Sequence, residues 1–339
     1  MTKSKLKDST WIEGINSIRF ILALIVLLSH FENPLVNELK SSEHLFLNLT
    51  ASVMGILFNG VAAVIAFFII SGYVIHQSSK DKEIFWKNFL FRRYLRILLP
   101  LIVIYFLGSK YNHPEKSILW SLICELVYYT LYPIFRKFNV DWKRLFTLSF
   151  ILSIILIIIF GYHDIVALFK QTNQNYHGHY WQFGIFATWI IGLPCWILGV
   201  LISEKENIII TVSKRKIITH RIIIFTISIV LNFLTFHAHL SYLLSMNLFA
   251  FFLYKWIQNE IAYYKDQKPI TLLEKLGDAS YSMYILHPIC YAFLLQVLSL
   301  TFVNYLFGIF ICILLSYVFY ILIERPAHIL SRNFKYFLT

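Results

Sequence analysis

Arg19 and His30 both fall in the first apolar segment of the chain, Ile15 to Phe31. At 100° per residue, their separation brings the two side chains within about 20° of one helix face, about 16 Å apart along the axis. Ionisable groups inside a membrane span are costly and mark function. A cation near one membrane surface and an imidazole deep toward the other fit a charged substrate entering from one side and proton chemistry further in. An imidazole embedded there is a candidate general base for a hydroxyl nucleophile. The competing role for His30 is a packing histidine bonded to a neighbouring helix.

Glu125 lies in WSLICELVYYTLYP, residues 120–133. If that segment enters from outside, Glu125 sits about 10 Å below the outer surface. Its depth is then similar to that of His30, which allows a carboxylate–imidazole pair that orients the ring. A structural Glu bonded to Arg or backbone is the alternative. A third group is FRRYLRILLP, residues 91–100. Arg92 and Arg96 share a helix face with Arg93 beside them, at the cytoplasmic mouth of a span. Guanidinium forks match phosphate oxygens, which makes a phosphorylated cytosolic donor one use. Anchoring by positive charge at the inner surface is the other.

Weaker signals follow. Ser71-Gly72 interrupts an aromatic run and permits close helix approach. GDASYSMYILHP, residues 277–288, sets Ser280, Tyr281, Ser282, Tyr284 and His287 at or within one span, and Glu324-Arg325-Pro326 closes the last. Each singly reads as helix-packing polarity. HExxH, P-loop, GxGxxG and GxSxG patterns are absent from the sequence, so metalloprotease, NTPase, dinucleotide and serine-hydrolase chemistries lack support, and no metal site is expected.

These residues need a membrane scaffold to hold them. Of 339 residues, 58% are hydrophobic and 14% charged, which excludes a soluble domain of this size. The pattern predicts an all-α bundle of about ten transmembrane helices, near 15–31, 52–77, 90–108, 118–135, 145–161, 183–202, 222–237, 240–258, 279–297 and 304–323. With the N-terminus inside, every Lys and Arg is cytoplasmic except Lys40, Lys110, Lys116, Lys170 and the embedded Arg19, so both termini are expected in the cytoplasm. That bias absorbs most of the net charge of +12, so the charge argues for anionic lipid and not for nucleic acid.

The basic start followed by an apolar run reads as a retained signal anchor. Cys124, Cys195, Cys290 and Cys312 all fall in expected spans without CxxC spacing, so neither a disulfide framework nor a zinc site is indicated. Asn48-Leu49-Thr50 is a sequon on an expected outer loop. The long outer loop at about 162–182 is rich in His, Asn, Gln and aromatics, suited either to sugar contact or to an interfacial aromatic belt. The tail after Pro326 is expected to be a short amphipathic surface helix. Residues 1–339 read as a single membrane domain.

Taken in order, these pieces resemble the acyltransferase 3 family of integral-membrane O-acyltransferases. The resemblance runs through Arg19 and His30, FFIISGYVI at 67–75, FRRYLRILLP, WSLICELVYYTLYP, GDASYSMYILHP and ERP at 324–326. The chain departs from the family's usual pattern at Asn16-Ser17, Ile65 and Leu126, where acidic residues or Asp-Gly are common. The resemblance implies transfer of an acyl group, usually acetyl from acetyl-CoA, to a hydroxyl of a cell-surface polysaccharide or its lipid-linked precursor. It implies a bacterial cytoplasmic (inner) membrane setting. It casts His30 as the essential catalytic residue, Arg19 as its first-span partner and the Arg cluster as a donor-side feature. It leaves open whether His30 deprotonates the hydroxyl or carries the acyl group. The rival class is a proton-coupled secondary transporter, for which buried His, Glu and Arg would also serve. Against it, the sequence shows no matching halves.

Overall fold

The computed structural model describes residues 13–111, 116–205, 211–299 and 301–333. The basic N-terminal stretch of the expected signal anchor and the end of the tail lie outside them. The described chain is helical: α1 (Ile15–His30), α2 (Pro34–Lys40), α3 (Leu45–Gly55), α4 (Gly60–Ser79), α5 (Trp86–Gly108), α6 (Lys116–Lys137), α7 (Trp142–Phe160), α8 (Tyr162–Lys170), α9 (Gly184–Glu204), α10 (Lys214–His237), α11 (Tyr242–Asp266), α12 (Thr271–Gly277), α13 (Ser280–Val297), α14 (Phe302–Phe319), a π-helical turn at Tyr320–Glu324, and α15 (Arg325–Asn333). Strands are absent among the described residues.

A helix stands at each expected span. Six candidate spans among the described residues are long and apolar enough to cross a membrane: Leu45–Ser79, Ile118–Lys137, Trp142–Phe160, Ala187–Glu204, Lys214–His237 and Phe302–Arg332. α1 with α2, bent by 46° at the break between them, makes a seventh. The long helices outside that set are α5, α11 and α13. α5 carries Arg92, Arg93 and Arg96, and α11 and α13 carry Asn, Ser, Tyr and His side chains within their apolar stretches. Two of these three, α5 and α13, supply the walls of the site described below.

The boundaries differ from the sequence pattern where caps intervene. The expected span at 52–77 is not one helix. α3 ends at Gly55, and α4 restarts at Gly60 behind Asn59, whose side chain accepts from the Ala62 N–H at 3.0 Å. The sequon Asn48 lies on α3, not on a loop. The span expected to begin at residue 222 begins at Lys214, because Ser213 caps it and the basic turn tolerates exposure. α1 stops at His30, since Asn33-Pro34 favours extended backbone before the proline and Asn33 caps α2.

α4 and α9 form the centre of the bundle, with α1, α6, α7 and α11 around them. They cross backbone to backbone. A Cβ added to Gly72 would overlap the Trp196 carbonyl oxygen, and one added to Gly199 would overlap the Ile69 carbonyl oxygen. α1 is held at its N-terminal end by α12 and the turn after it. Asn16 donates to Asp278 at 2.8 Å, and the Ser17 amide and hydroxyl donate to Glu274 at 2.9 and 2.8 Å. Burial holds the Asp278 carboxyl above the usual carboxylate range. At the other extreme the exposed Asp141 caps α7, and the Arg144 and Lys143 N–H groups hold its carboxyl below that range.

Gly199→Leu is expected to force α4 and α9 apart. Overpacking of this kind costs about 1–3 kcal/mol or more where backbone must move. A lower melting temperature of the detergent-solubilised protein, relative to Gly55→Ala as an exposed control with only ordinary van der Waals contact, is the measurement that checks it.

Candidate active site

Two cavities meet at the end of the bundle that carries Arg19, Arg93 and Arg96. The wider, about 590 Å³, is rimmed by Lys82, Arg92, Arg93, Arg96, His328 and Arg332 against one carboxylate, Glu83, with Ser78, Asn88 and Ser331 between them. The narrower, about 110 Å³, runs on between α1, α4, α5, α6 and α13. Its polar lining is Arg19, Ser71, Arg93, Arg96, Ser121, Glu125, Tyr129, Ser280, Tyr281 and Tyr284, and Val64, Phe67, Phe68 and Ile97 supply apolar wall. Arg93 and Arg96 line both, so they stand where one cavity passes into the other.

The charges in this passage are balanced by neighbours. Glu125 accepts from the Ser71 hydroxyl at 3.1 Å and from the Tyr129 hydroxyl one turn on. Arg93 lies over the rings of Phe89 and Tyr129 at 5.5 and 5.8 Å and reaches the Ser78 hydroxyl at 3.4 Å. Arg19 feels Arg96, Glu324 and Glu125 as its strongest charged neighbours. Glu324 is fully buried and accepts from the Ser282 amide and hydroxyl at 3.1 and 2.6 Å. Its second oxygen lies 3.5 Å from His328 Nε2. Glu324 ends the π-helical turn, where one extra residue re-aims the helix face inward. Tyr281 donates to the Ile97 carbonyl at 2.8 Å, pinning α13 to α5. The Ser280 hydroxyl is buried in the narrow cavity without a protein partner.

The structure thus brings together Arg19, Ser71, Arg93, Arg96, Glu125 and Tyr281, with Ser282 and Glu324 directly behind. Arg92 stands at the rim of the wider cavity, exposed, with its Nε bonded to the Asn88 carbonyl at 3.2 Å. His30 is elsewhere. It is the last residue of α1, exposed at the far end of that helix, and its ring packs on His287 with centroids 4.9 Å apart. The expected carboxylate–imidazole pair of Glu125 with His30 is therefore corrected: each bonds to other partners. α1 ends at the imidazole, and Glu125 turns its carboxylate toward the arginines. His30 Nδ1 bonds instead to the Val26 carbonyl at 2.9 Å.

Between the narrow cavity and the two histidines stands Tyr284. Its ring lines the cavity and meets Phe67 edge-on at 6.2 Å, and its hydroxyl bonds to Ser121 at 2.6 Å. The outer segment 162–182 packs down nearby. Trp181 stacks on Trp120 at 5.3 Å and on His179 at 4.8 Å, and the buried Asp164 accepts from the His177 amide and Gln182. Much of its aromatic content is therefore internal packing, and residues Tyr162–Lys170 form α8, where a plain loop was expected.

Several wall residues were missed in the sequence. Tyr129 follows Glu125 by one helical turn in ELVYY, a spacing that could have found it. His328 and Arg332 could not be assigned to the site, because the tail helix was expected to lie on the membrane surface. α15 packs instead against α5 and forms one wall of the wider cavity. Among the described residues, no cluster of three or more His, Cys, Asp or Glu is placed to hold a metal.

The model of an acyltransferase domain, that of the acyltransferase 3 family, matches residues 12–114 and 116–321. The chain belongs to the acyltransferase 3 family. Comparison with curated proteins and with solved structures gives no match. The family and the apolar helices together make this an acyltransferase of the membrane.

Glu324→Ala is expected to cost about 3–5 kcal/mol, because it strands Arg19 and Arg96 near a lost counter-charge and leaves the Ser282 N–H without its acceptor. Glu324→Gln, which keeps an acceptor oxygen, should lose less. Thermal unfolding of both variants in one detergent checks the order.

Proposed function

We propose that this acyltransferase moves an acetyl group from cytosolic acetyl-CoA to a hydroxyl of a cell-surface polysaccharide or its lipid-linked precursor. In this reading ten spans cross a bacterial cytoplasmic membrane with both termini inside. The observation that carries it is the passage itself: a wide cavity rimmed by cationic side chains narrows, at Arg93 and Arg96, into a slot with much apolar wall. A coenzyme A thioester has that shape and polarity. Its phosphates suit the guanidinium forks and ammonium of Arg92, Arg93, Arg96, Arg332 and Lys82. Its uncharged arm suits the slot between Phe67, Phe68 and Tyr284.

Arg19 and Arg96 would draw the anionic donor into the slot, with Glu125 as a nearby counter-charge. Tyr284 is then the last barrier between the thioester and His30, and its displacement would let the acyl group reach the imidazole. His30, with Nδ1 committed to the Val26 carbonyl, keeps Nε2 for the acceptor hydroxyl. An exposed His30 at the helix end suits this role, since the acceptor is a large glycan that has to reach it from the outer side.

The test is reconstitution of the purified protein with acetyl-CoA and a polysaccharide bearing free hydroxyls, followed by free thiol and by ester on the glycan. Thiol release dependent on the glycan supports transfer. A protein that moves a solute and releases no thiol would be a transporter. His30→Ala should insert and purify normally while losing about 10²–10⁴ in rate, the usual contribution of a positioned base. Near-normal turnover in that variant would remove His30 from the mechanism.

Arg92→Gln together with Arg93→Gln should raise the acetyl-CoA KM by about 10-fold or more and flatten its dependence on salt, because charge-assisted phosphate contacts are lost. If these arginines only anchor topology, insertion yield should fall and the KM of the surviving protein should not change.

A further inference from the structure

The buried imidazole of His287 is the feature that the passage and its arginines do not use. His287 is 0% exposed, and its Nε2 has no protein partner. Its Nδ1 bonds to the Tyr284 carbonyl at 2.8 Å. A carbonyl only accepts, so Nδ1 carries the proton and Nε2 carries a lone pair. The sequence sets this up. Residue 288 is proline, which has no N–H to give the carbonyl four residues back, and that carbonyl belongs to Tyr284. The freed oxygen takes the histidine. His30 is arranged in the same way, with Nδ1 on the Val26 carbonyl one turn back. Two imidazoles 4.9 Å apart, inclined at 51°, are thus both locked as Nδ1–H forms with free Nε2 atoms. One ring is exposed and the other sealed. A buried lone pair without a donor costs free energy, and the ring packed against it is His30, which becomes a cation once it has taken up a proton.

We propose that His287 is a positioning residue for His30: its buried imidazole, packed against the His30 ring with an unshared Nε2 lone pair, stabilises the His30 imidazolium as that cation forms. This rests on His30 acting as the base. The proton of the acceptor hydroxyl passes to His30 Nε2 as the hydroxyl oxygen bonds to the thioester carbonyl carbon. The C–S bond then breaks, and the thiolate recovers the proton from the histidine pair. The products are the O-acyl ester and free thiol, with no other reactant. His287 touches neither substrate. It acts by stabilising charge on its neighbour and by holding that ring in place.

The experiment uses the full-length protein in lipid vesicles with acetyl-CoA and a hydroxyl-bearing glycan. His287→Phe keeps the aromatic volume and removes the lone pair. His287→Gln can donate to the Tyr284 carbonyl through its amide and present its oxygen toward His30. His287→Phe should lower kcat by about 10- to 10³-fold, within the contribution of the base it serves, with the acetyl-CoA KM within about twofold of the parent. His287→Gln should recover part of that loss. A merely structural role predicts a fall in melting temperature and active yield, with kcat per folded molecule unchanged. That result, or a loss confined to KM, would overturn the proposal. Should His287→Phe fail to fold, His287→Gln decides: parental kcat and pH profile refute the positioning role, and an intermediate kcat supports it. His30→Ala is run alongside. If it turns over normally, the base assignment itself fails. If it is inactive while His287→Phe is fully active, only the present inference fails.

Discussion

Three guanidinium groups placed inside a helix bundle are the constraint that organises this molecule. Arg19, Arg93 and Arg96 converge from α1 and α5 on one narrow cavity. A cation taken out of water costs several kcal/mol unless it is paired and hydrogen-bonded. The bundle answers with Glu125 from α6, Glu324 from the π-helical turn, and the faces of Phe89 and Tyr129. Glu125 and Tyr129 come from α6 and Glu324 from the far end of the chain, so satisfying the arginines fixes how α1, α5, α6 and the last span approach one another. The balance is incomplete, with three cations against two carboxylates. A site left in excess positive charge and open toward a cationic rim is prepared for an anion.

The centre of the bundle is packed more tightly still. α4 and α9 cross with backbones in contact at Gly72 and Gly199, and Trp196, Tyr128 and Tyr132 fill the space around them. Such dense packing does not adjust in small steps. A rigid α4 matters to the site because it supplies Ser71, Phe67 and Phe68 to the cavity wall and presents Gly60 beside His30. One helix therefore carries a reference frame past both the arginine passage and the histidine pair.

The sequence showed the helices because apolar periodicity at this length is hard to mistake, and it showed the arginine cluster, Glu125 and the SYSMYILHP segment because each is polar where an apolar residue is expected. It did not show how they pair. Position along a single helix was legible from counting residues, but the relative depth of two helices was not: Glu125 stands in the cavity with Arg19 and bonds to Ser71, whereas His30, about three turns further along α1, meets His287 on α13. Breaks were legible only in part: Asn33-Pro34 announces the end of α1, whereas the gap at residues 56–59 carries an unremarkable sequence and depends on Asn59 as a cap. The contribution of α15 was hidden because an amphipathic tail reads the same whether it lies on lipid or against α5.

The separation of His30 from the arginines then becomes informative. Eleven residues of α1 place them about 16 Å apart along the axis, and Tyr284 with Phe67 stands between. A thioester cannot be held at its phosphates and react at His30 unless its extended arm crosses that distance. In the proposed transfer, the same separation would keep an acceptor on the outer side from the cytosolic pool of donor. Tyr284 is suited to control the crossing because it is tied at both ends: its hydroxyl to Ser121 on α6, and its backbone carbonyl to His287. Movement of that ring to admit an acyl arm would pull on the carbonyl that locks the His287 tautomer. Opening the slot and setting the histidine pair are thereby linked through one residue, and in the proposed transfer that link would tie arrival of the donor to readiness of the base.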